Sequence, residues 1–265
     1  VFANANLAYQ IFHLDLGARL NNHSKYDNHF VYSVNPFILT DLDDNFLKIG
    51  YSYATAFIAP TLYQSYGSLP YVLPNFDLKP ETNASHELDF SFGKKDRTFV
   101  VNASVFSRKE KDVFVYNWDN RKFLNVESNK VKGVELGVQY HFNEKVNVGG
   151  NFSFAEKDNP ATRLRSPKQR ANAFLEILPI KNNRINISYQ YTSKRNDAYY
   201  DSSSFSTKNV ELEAFHLFNL NINQKITKSL DTYLNVGNVL NTSYTDVIGY
   251  TTKPRNITLG VEYKF

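Results

Sequence analysis

Side chains with catalytic or metal-binding chemistry are sparse and scattered in this 265-residue chain. It has no Cys, which excludes a disulfide framework, thiolate metal sites and Cys nucleophiles, and its six His are dispersed. His13, His86, His141 and His216 fall on segments that read as strands, three of them on the polar face, where hydrogen bonding is expected and a metal site is not. The acidic pairs Glu211/Glu213 and Glu87/Asp89 are spaced by two, so on a strand each pair shares a face and has the spacing of a carboxylate dyad. No Ser–His pair accompanies them, and no G-x-S-x-G, H-E-x-x-H, P-loop or dinucleotide fingerprint occurs. They read as polarity on a wet wall. The expectation is therefore no catalytic residue, no metal, no cofactor and no enzyme. The more telling chemistry is aromatic: Tyr63, Tyr66, Tyr71, Tyr199, Tyr200, Tyr244 and Tyr250 lie in polar connections, where rings with a polar tip can grip a bulky ligand.

The elements that must position these rings have a period of two. Ile257, Leu259, Val261, Tyr263 and Phe265 alternate with Asn256, Thr258, Gly260, Glu262 and Lys264, which puts the apolar groups on one face of a strand. The same holds for Phe12, Leu14, Leu16, Ala18 and Leu20, for Val134, Leu136, Val138, Tyr140 and Phe142, for Ile185, Ile187, Tyr189 and Tyr191, and for Phe218, Leu220 and Ile222. About twelve such segments are predicted, at 5–20, 29–40, 45–57, 84–94, 98–109, 130–143, 146–156, 168–179, 184–195, 210–224, 229–240 and 254–265. Helical periodicity is absent. The chain is all-β and reads as one domain over 1–265.

Short polar turns near 41–44, 94–97, 143–145, 181–183 and 225–228 alternate with longer loops at 21–28, 58–83, 110–129, 157–167, 196–209 and 241–253. One end of the sheet is thus plain and the other carries elaborated loops, as in a transmembrane antiparallel β-barrel with short periplasmic turns and long extracellular loops. A soluble sandwich also alternates, but its wet face is charged, whereas here the polar face is rich in Asn, Ser, Gly and Gln. Aromatics make up 15% of the chain and recur at segment ends, where membrane–water interfaces select amphipathic rings. Mean hydropathy is −0.44, too polar for helical spans. Lys+Arg 30 against Asp+Glu 26 gives +4 and a pI near 8.9, but no basic run of five occurs, so nucleic acid is not an expected partner.

Four places resemble a TonB-dependent outer-membrane receptor. Residues 51–64 (YSYATAFIAPTLYQ) followed by 75–82 (NFDLKPET) are similar to that family's strand, long loop and N-x-x-L-x-P-E return; 125–135, ending Gly133-Val134-Glu135, resembles the start of a following strand; 235–244 (NVGNVLNTSY) resembles its penultimate strand; and 253–265 (KPRNITLGVEYKF) resembles its last. Within the family, 165–170 (RSPKQR) and 189–195 (YQYTSKR) look most like cobalamin receptors.

The resemblance implies that these strands are the C-terminal part of a 22-stranded barrel whose plug domain and first strands are absent from this chain. It implies uptake of a bulky nutrient chelate, cobalamin-like or siderophore-like, across the bacterial outer membrane, energised through TonB by way of the missing N-terminal region. The implied partners are outer-membrane lipid, the chelate, the outer-membrane insertion machinery and a surface lipoprotein. Tyr263 and Phe265 are the expected assembly signal. The alternative is a self-contained twelve-strand outer-membrane barrel acting as an enzyme or autotransporter-type pore, since an even count can close.

Overall fold

The computed structural model describes residues 1–67, 70 and 72–265. In chain order its strands are β1 (Phe2–Tyr9), β2 (Phe12–His23), β3 (Asp27–Leu42), β4 (Asn45–Ile58), β5 (Glu81–Lys94), β6 (Phe99–Asn117), β7 (Lys122–Asn143), β8 (Val146–Lys157), β9 (Gln169–Ile177), β10 (Asn183–Thr192), β11 (Arg195–Asp201), β12 (Ser206–Leu212), β13 (Phe215–Lys225), β14 (Leu230–Gly237) and β15 (Asn256–Tyr263). A short helix, α1 (Leu62–Tyr66), lies between β4 and β5. Thirteen strands form one antiparallel meander; β11 and β12 pair only with each other, and β10 pairs across them with β13.

The sequence predicts twelve strands where the main sheet has thirteen, and that difference lies at 5–20. That run is a hairpin, β1 and β2, joined by Gln10 and Ile11 with Tyr9 opposite Phe12 and Gln10 at φ 54°. No Gly, Pro, Asn or Asp marks the turn. Three connections expected as long loops are also largely strand: 21–28 is a tight turn between β2 and β3, 110–129 is the crossing of β6 into β7, and 196–209 is the β11–β12 ribbon. β6 and β7, at 19 and 22 residues, exceed the roughly 9–11 that a tilted strand needs to cross a bilayer, so their hairpin stands beyond it.

The two faces separate as the period of two requires. Cross-strand register lines up Val148, Leu175, Ile187, Leu220, Val236 and Ile257 in one unbroken apolar row over six strands. On the other face Ser91, Asn102, Gly137, Asn151, Asn172 and Gln190 form an equally continuous polar row. Polar partners bridge it: the Ser91 hydroxyl donates to Asn102 over 2.7 Å and Asn172 to Asn151 over 3.0 Å. Aromatic rings also lie on this face, among them Phe106 over Gly133 and Phe174 over Gly149; a Cβ at either glycine would come within 2.6 Å of a ring carbon.

The histidines need a correction. Of the four expected on strands, only His13 and His141 follow the polar face. His86 lies opposite Tyr53 and His216 opposite Tyr191 on the apolar face, each with Nδ1 in a hydrogen bond to a tyrosine hydroxyl, Tyr51 at 2.7 Å and Tyr189 at 2.8 Å. Both pairs sit toward the long-loop end, where an aromatic girdle needs rings with a polar tip.

This two-faced sheet predicts an asymmetric response to charge. Val138→Arg or Leu220→Arg should cost roughly 2–4 kcal/mol at mid-membrane depth and reduce folded barrel in the membrane. Gln139→Arg and Asn221→Arg, one residue along, should be mild. Urea unfolding of the full-length protein in lipid vesicles measures the difference, and equal losses on both faces would remove the membrane reading.

Candidate functional site

The long-loop end is a set of connections tied to one another by buried polar groups. Between β4 and β5, α1 starts at Thr61, whose hydroxyl accepts from the Gln64 N–H while the Gln64 side chain accepts from the Thr61 N–H, a reciprocal cap. Gly67 closes it, because a Cβ there would sit 2.6 Å from Val72. The chain then runs along the β6–β7 hairpin. The Leu73 N–H donates to Arg121 O (2.7 Å), the Asn75 amide to Phe123 O (2.8 Å), and Asn125 bonds both the N–H (2.8 Å) and the O (2.9 Å) of Lys79 in the manner of a strand partner. Leu78 is 2% exposed, and the Glu81 carboxylate accepts from the Phe114 N–H. The residues that carry the N-x-x-L-x-P-E resemblance are thus fasteners: they hold this loop against the hairpin and leave Tyr63 and Tyr66 exposed. Tyr63 meets Phe123 edge-on and Tyr66 meets Phe76 likewise.

A second hub lies at the β11–β12 ribbon. Asp197 is 1% exposed and accepts from Arg165 Nε (2.7 Å), the Ala198 N–H (2.8 Å) and the Ile248 N–H (2.9 Å). Arg195, two residues back on β11, donates from one terminal nitrogen to Thr245 O (2.9 Å), Asp246 O (2.8 Å) and the Asp246 carboxylate (2.9 Å), and its guanidinium lies over the Phe215 ring. One ribbon therefore fastens two other loops, 157–168 and 238–255. Burial alone would raise the Asp197 pKa, but the Ile248 N–H, the Arg165 guanidinium and the Ala198 N–H hold it below the ordinary carboxylate value. The 238–255 loop has its own organiser in Asn238, at φ 50° and 5% exposed, whose side chain bonds the N–H and O of Thr242.

The predicted tyrosines are distributed over these connections. Tyr199 and Tyr200 are neighbours on β11 and so point to opposite sides of the ribbon; Tyr250 is exposed on the last loop. Tyr244 packs on the buried Phe215 at 4.5 Å between ring centroids, a fastening position. Tyr71 lies outside the described residues. Among the described residues no ring contact joins Tyr63 or Tyr66 to the tyrosines of the ribbon; the two halves meet through the Thr207 hydroxyl, which donates to Asp119 at the β6–β7 turn over 3.1 Å. Beneath the ribbon, on the polar face, a cavity of about 460 Å³ is lined by Arg165, Arg170, Gln190 and Arg195 among others. Sequence reasoning missed Arg195 and Asp197, because an Arg-x-Asp in a polar connection has no local pattern that distinguishes a buried fastener from a solvated pair. The Glu211/Glu213 pair carries no dyad geometry: both carboxylates bind Lys194, at 3.2 Å each. Tyr263 and Phe265 lie at the opposite, short-turn end of the sheet, rings edge-to-face at 5.2 Å.

A family described as TonB dependent receptor-like, beta-barrel, matches residues 1–239. The vitamin B12 transporter BtuB of Vibrio cholerae serotype O1 is 27% identical over 219 residues, covering 81% of this chain and 34% of that protein. The chain thus spans about a third of the length of the curated relatives it matches. Among solved structures, the siderophore receptor PirA from Acinetobacter baumannii superposes with a TM-score of 0.79 at 18% identity, over 100% of this chain and 45% of that one. The ferripyoverdine receptor of the outer membrane of Pseudomonas aeruginosa, bound to ferripyoverdine, gives 0.75 at 16% identity, over 99% and 38%. At these identities the two structures establish the fold.

Proposed function

The chain belongs to the TonB-dependent receptor β-barrel family, and on that premise we propose that it is the C-terminal part of an outer-membrane receptor that takes up a bulky nutrient chelate, cobalamin-like or siderophore-like, energised through TonB. Residues 1–265 form one barrel domain in this reading, and the rest of the barrel and the plug come from other parts of the protein. The observation that carries it is the pairing of a sheet with one apolar and one polar face to a mutually fastened set of loops at one end, with Tyr63, Tyr66, Tyr199, Tyr200 and Tyr250 available to contact cargo. Rings held by a rigid frame bind at a lower ordering cost than free loops. Tyr71 belongs to the same set by its place in the sequence, and Tyr244 supports it by holding the last loop on Phe215.

Deleting 62–71 from the full-length protein tests the reading, because the cut removes Tyr63, Tyr66 and Tyr71 but spares the fastened stretch from Leu73 to Glu81. Cells should lose TonB-dependent uptake of whichever of cyanocobalamin or a ferric siderophore the intact protein supports, while the barrel keeps its heat-modifiable gel mobility. Unchanged uptake would place recognition elsewhere.

Tyr263 and Phe265 serve in this reading as an assembly signal, with the alternating side chains of β15 read by strand addition in the insertion machinery. Deleting Phe265 from the full-length protein should leave periplasmic precursor in cells yet barely alter the stability of barrel refolded in detergent. Equal losses in both would reduce Phe265 to a girdle residue.

A further inference from the structure

The cavity beneath the β11–β12 ribbon brings together three guanidinium groups, those of Arg165, Arg170 and Arg195, and a single carboxylate, that of Asp246. Two of the three are engaged by the fold. Arg165 is held by the buried Asp197 at 2.7 Å and Arg195 by Asp246 at 2.9 Å. Arg170 is exposed on the polar face of β9, and among the described residues its side chain has neither an ion pair nor a hydrogen bond. Its register partners are Ser153 on β8 and Thr192 on β10, and Phe215 stands beyond Thr192. The next carboxylate along that row, Glu135, lies two strands away beyond Ser153 and makes no ion pair with it.

Arg195 is itself incompletely satisfied. Its Nη2 serves all three acceptors, Thr245 O, Asp246 O and the Asp246 carboxylate, while Nη1 is buried and has no acceptor. The Phe215 ring, 5.3 Å from Cζ to centroid, fixes the plane of the guanidinium. A buried donor without an acceptor is unfavourable, and in the same cavity stand the open guanidinium of Arg170 and the amide of Gln190. A planar fork of N–H donors matches a carboxylate or a phosphate. Resting on the reading that these loops receive a chelate, we propose that the cavity is an oxyanion subsite, which takes an ionised carboxylate or phosphate carried by the cargo and so favours anionic over neutral chelates. Arg170 binds the anion through its exposed fork, and Arg195 adds a second positive charge and the donor that the fold leaves idle. Because Nη2 keeps the last loop, occupancy leaves the fastening in place. At about 460 Å³ the cavity is at the small end of ligand sites, so it reads one arm of a bulky cargo.

Isothermal titration calorimetry of the full-length protein in detergent at constant ionic strength, with citrate and inorganic phosphate as probes, tests the subsite. Native protein should bind at least one of them saturably at one site per molecule, and which one binds tells carboxylate from phosphate. Arg170→Gln should weaken that binding by about tenfold or more, the loss expected for one charged hydrogen-bond donor. Arg184→Gln, which removes a guanidinium from the short-turn end of the polar face, where it pairs with Glu176 at 3.5 Å, should leave binding unchanged. No saturable binding by native protein, or equal binding by Arg170→Gln, would overturn the proposal. So would a lower Tm of Arg170→Gln without ligand, which would give Arg170 a partner elsewhere in the full-length protein. Uptake by cells separates the subsite from the wider reading. Ferric citrate carries carboxylates and cyanocobalamin a phosphodiester, whereas ferrichrome is neutral and carries neither. Native protein should take up the first or the second, according to which anion binds, and Arg170→Gln should raise its half-saturating concentration about tenfold. Uptake of ferrichrome alone would overturn the subsite and leave the receptor reading standing. Uptake of none of the three, with the anion still bound through Arg170, would sink the uptake reading and leave the anion site.

Discussion

Refolded by itself in detergent micelles, the 265-residue chain should give aggregate or strand-swapped oligomers and no heat-modifiable, protease-resistant monomer. β1 pairs only with β2 and β15 only with β14, and β1 is exposed along all eight of its residues. About half of the backbone N–H and C=O groups of an edge strand point away from its single partner. In water they would be hydrated, but in hydrocarbon each costs several kcal/mol. The chain cannot relieve this by curling up in the usual way. Thirteen strands in an antiparallel meander leave the first and last running in the same direction, so closure would set β1 parallel to β15 and break the ladder that an even count preserves. Twelve strands, as read from sequence, would have allowed closure; the extra hairpin removes that option. Co-expression with the remainder of the protein should restore heat modifiability by covering both edges. A stable monomer from the 265 residues alone would show that the parallel seam forms, and would revive the self-contained barrel.

The strand count shows what was legible in the sequence and what was not. Alternation identified faces correctly because a period of two is a property of the backbone itself, and the apolar rows fall where Leu220, Val138 and Ile187 placed them. The hairpin at Gln10–Ile11 was hidden because its turn uses neither Gly nor Asn, Gln10 taking the positive φ that those residues usually supply. One trace existed: Leu7 and Tyr9 are apolar on odd positions while Phe12, Leu14 and Leu16 are apolar on even ones, and a single continuous strand cannot change phase without a bulge or a turn. The loops were less legible. Lys111 and Val113 continue β6 past the expected end at 109 because β7 offers them partners in Ser128 and Val126, a long-range pairing that no local window contains. The motif residues Asn75, Leu78 and Glu81 could be recognised as a pattern, yet their work as fasteners depends on Phe114 and Phe123, some 30 to 50 positions away.

Asp197→Ala in the full-length protein should release the ribbon and the last loop while leaving the barrel intact. The carboxylate is 1% exposed and takes three donors from three separate stretches of chain. Arg165 is half-exposed and can return to water, so most of the cost falls on the N–H groups of Ala198 and Ile248, roughly 2–4 kcal/mol for two buried donors left without acceptors. That exceeds what a peripheral loop has in reserve, whereas the main sheet draws its stability from ladders that Asp197 does not join. Hydrogen exchange at Ile248 and protease cleavage within 238–255 should accelerate by about a hundredfold or more on the same scale, and gel mobility should stay heat-modifiable. The pH dependence follows from the sign of the shift. Folding lowers the Asp197 pKa, so its contribution is complete above the ordinary carboxylate value near 4 and disappears as pH falls through the lowered one. Protection of the last loop in the native protein should therefore hold at pH 5 and fail under stronger acid, and Asp197→Asn, which cannot titrate, should abolish that transition. Loop protection unchanged by Asp197→Ala, or a native loop indifferent to acid, would show that Arg195 and Asn238 hold the loop without it.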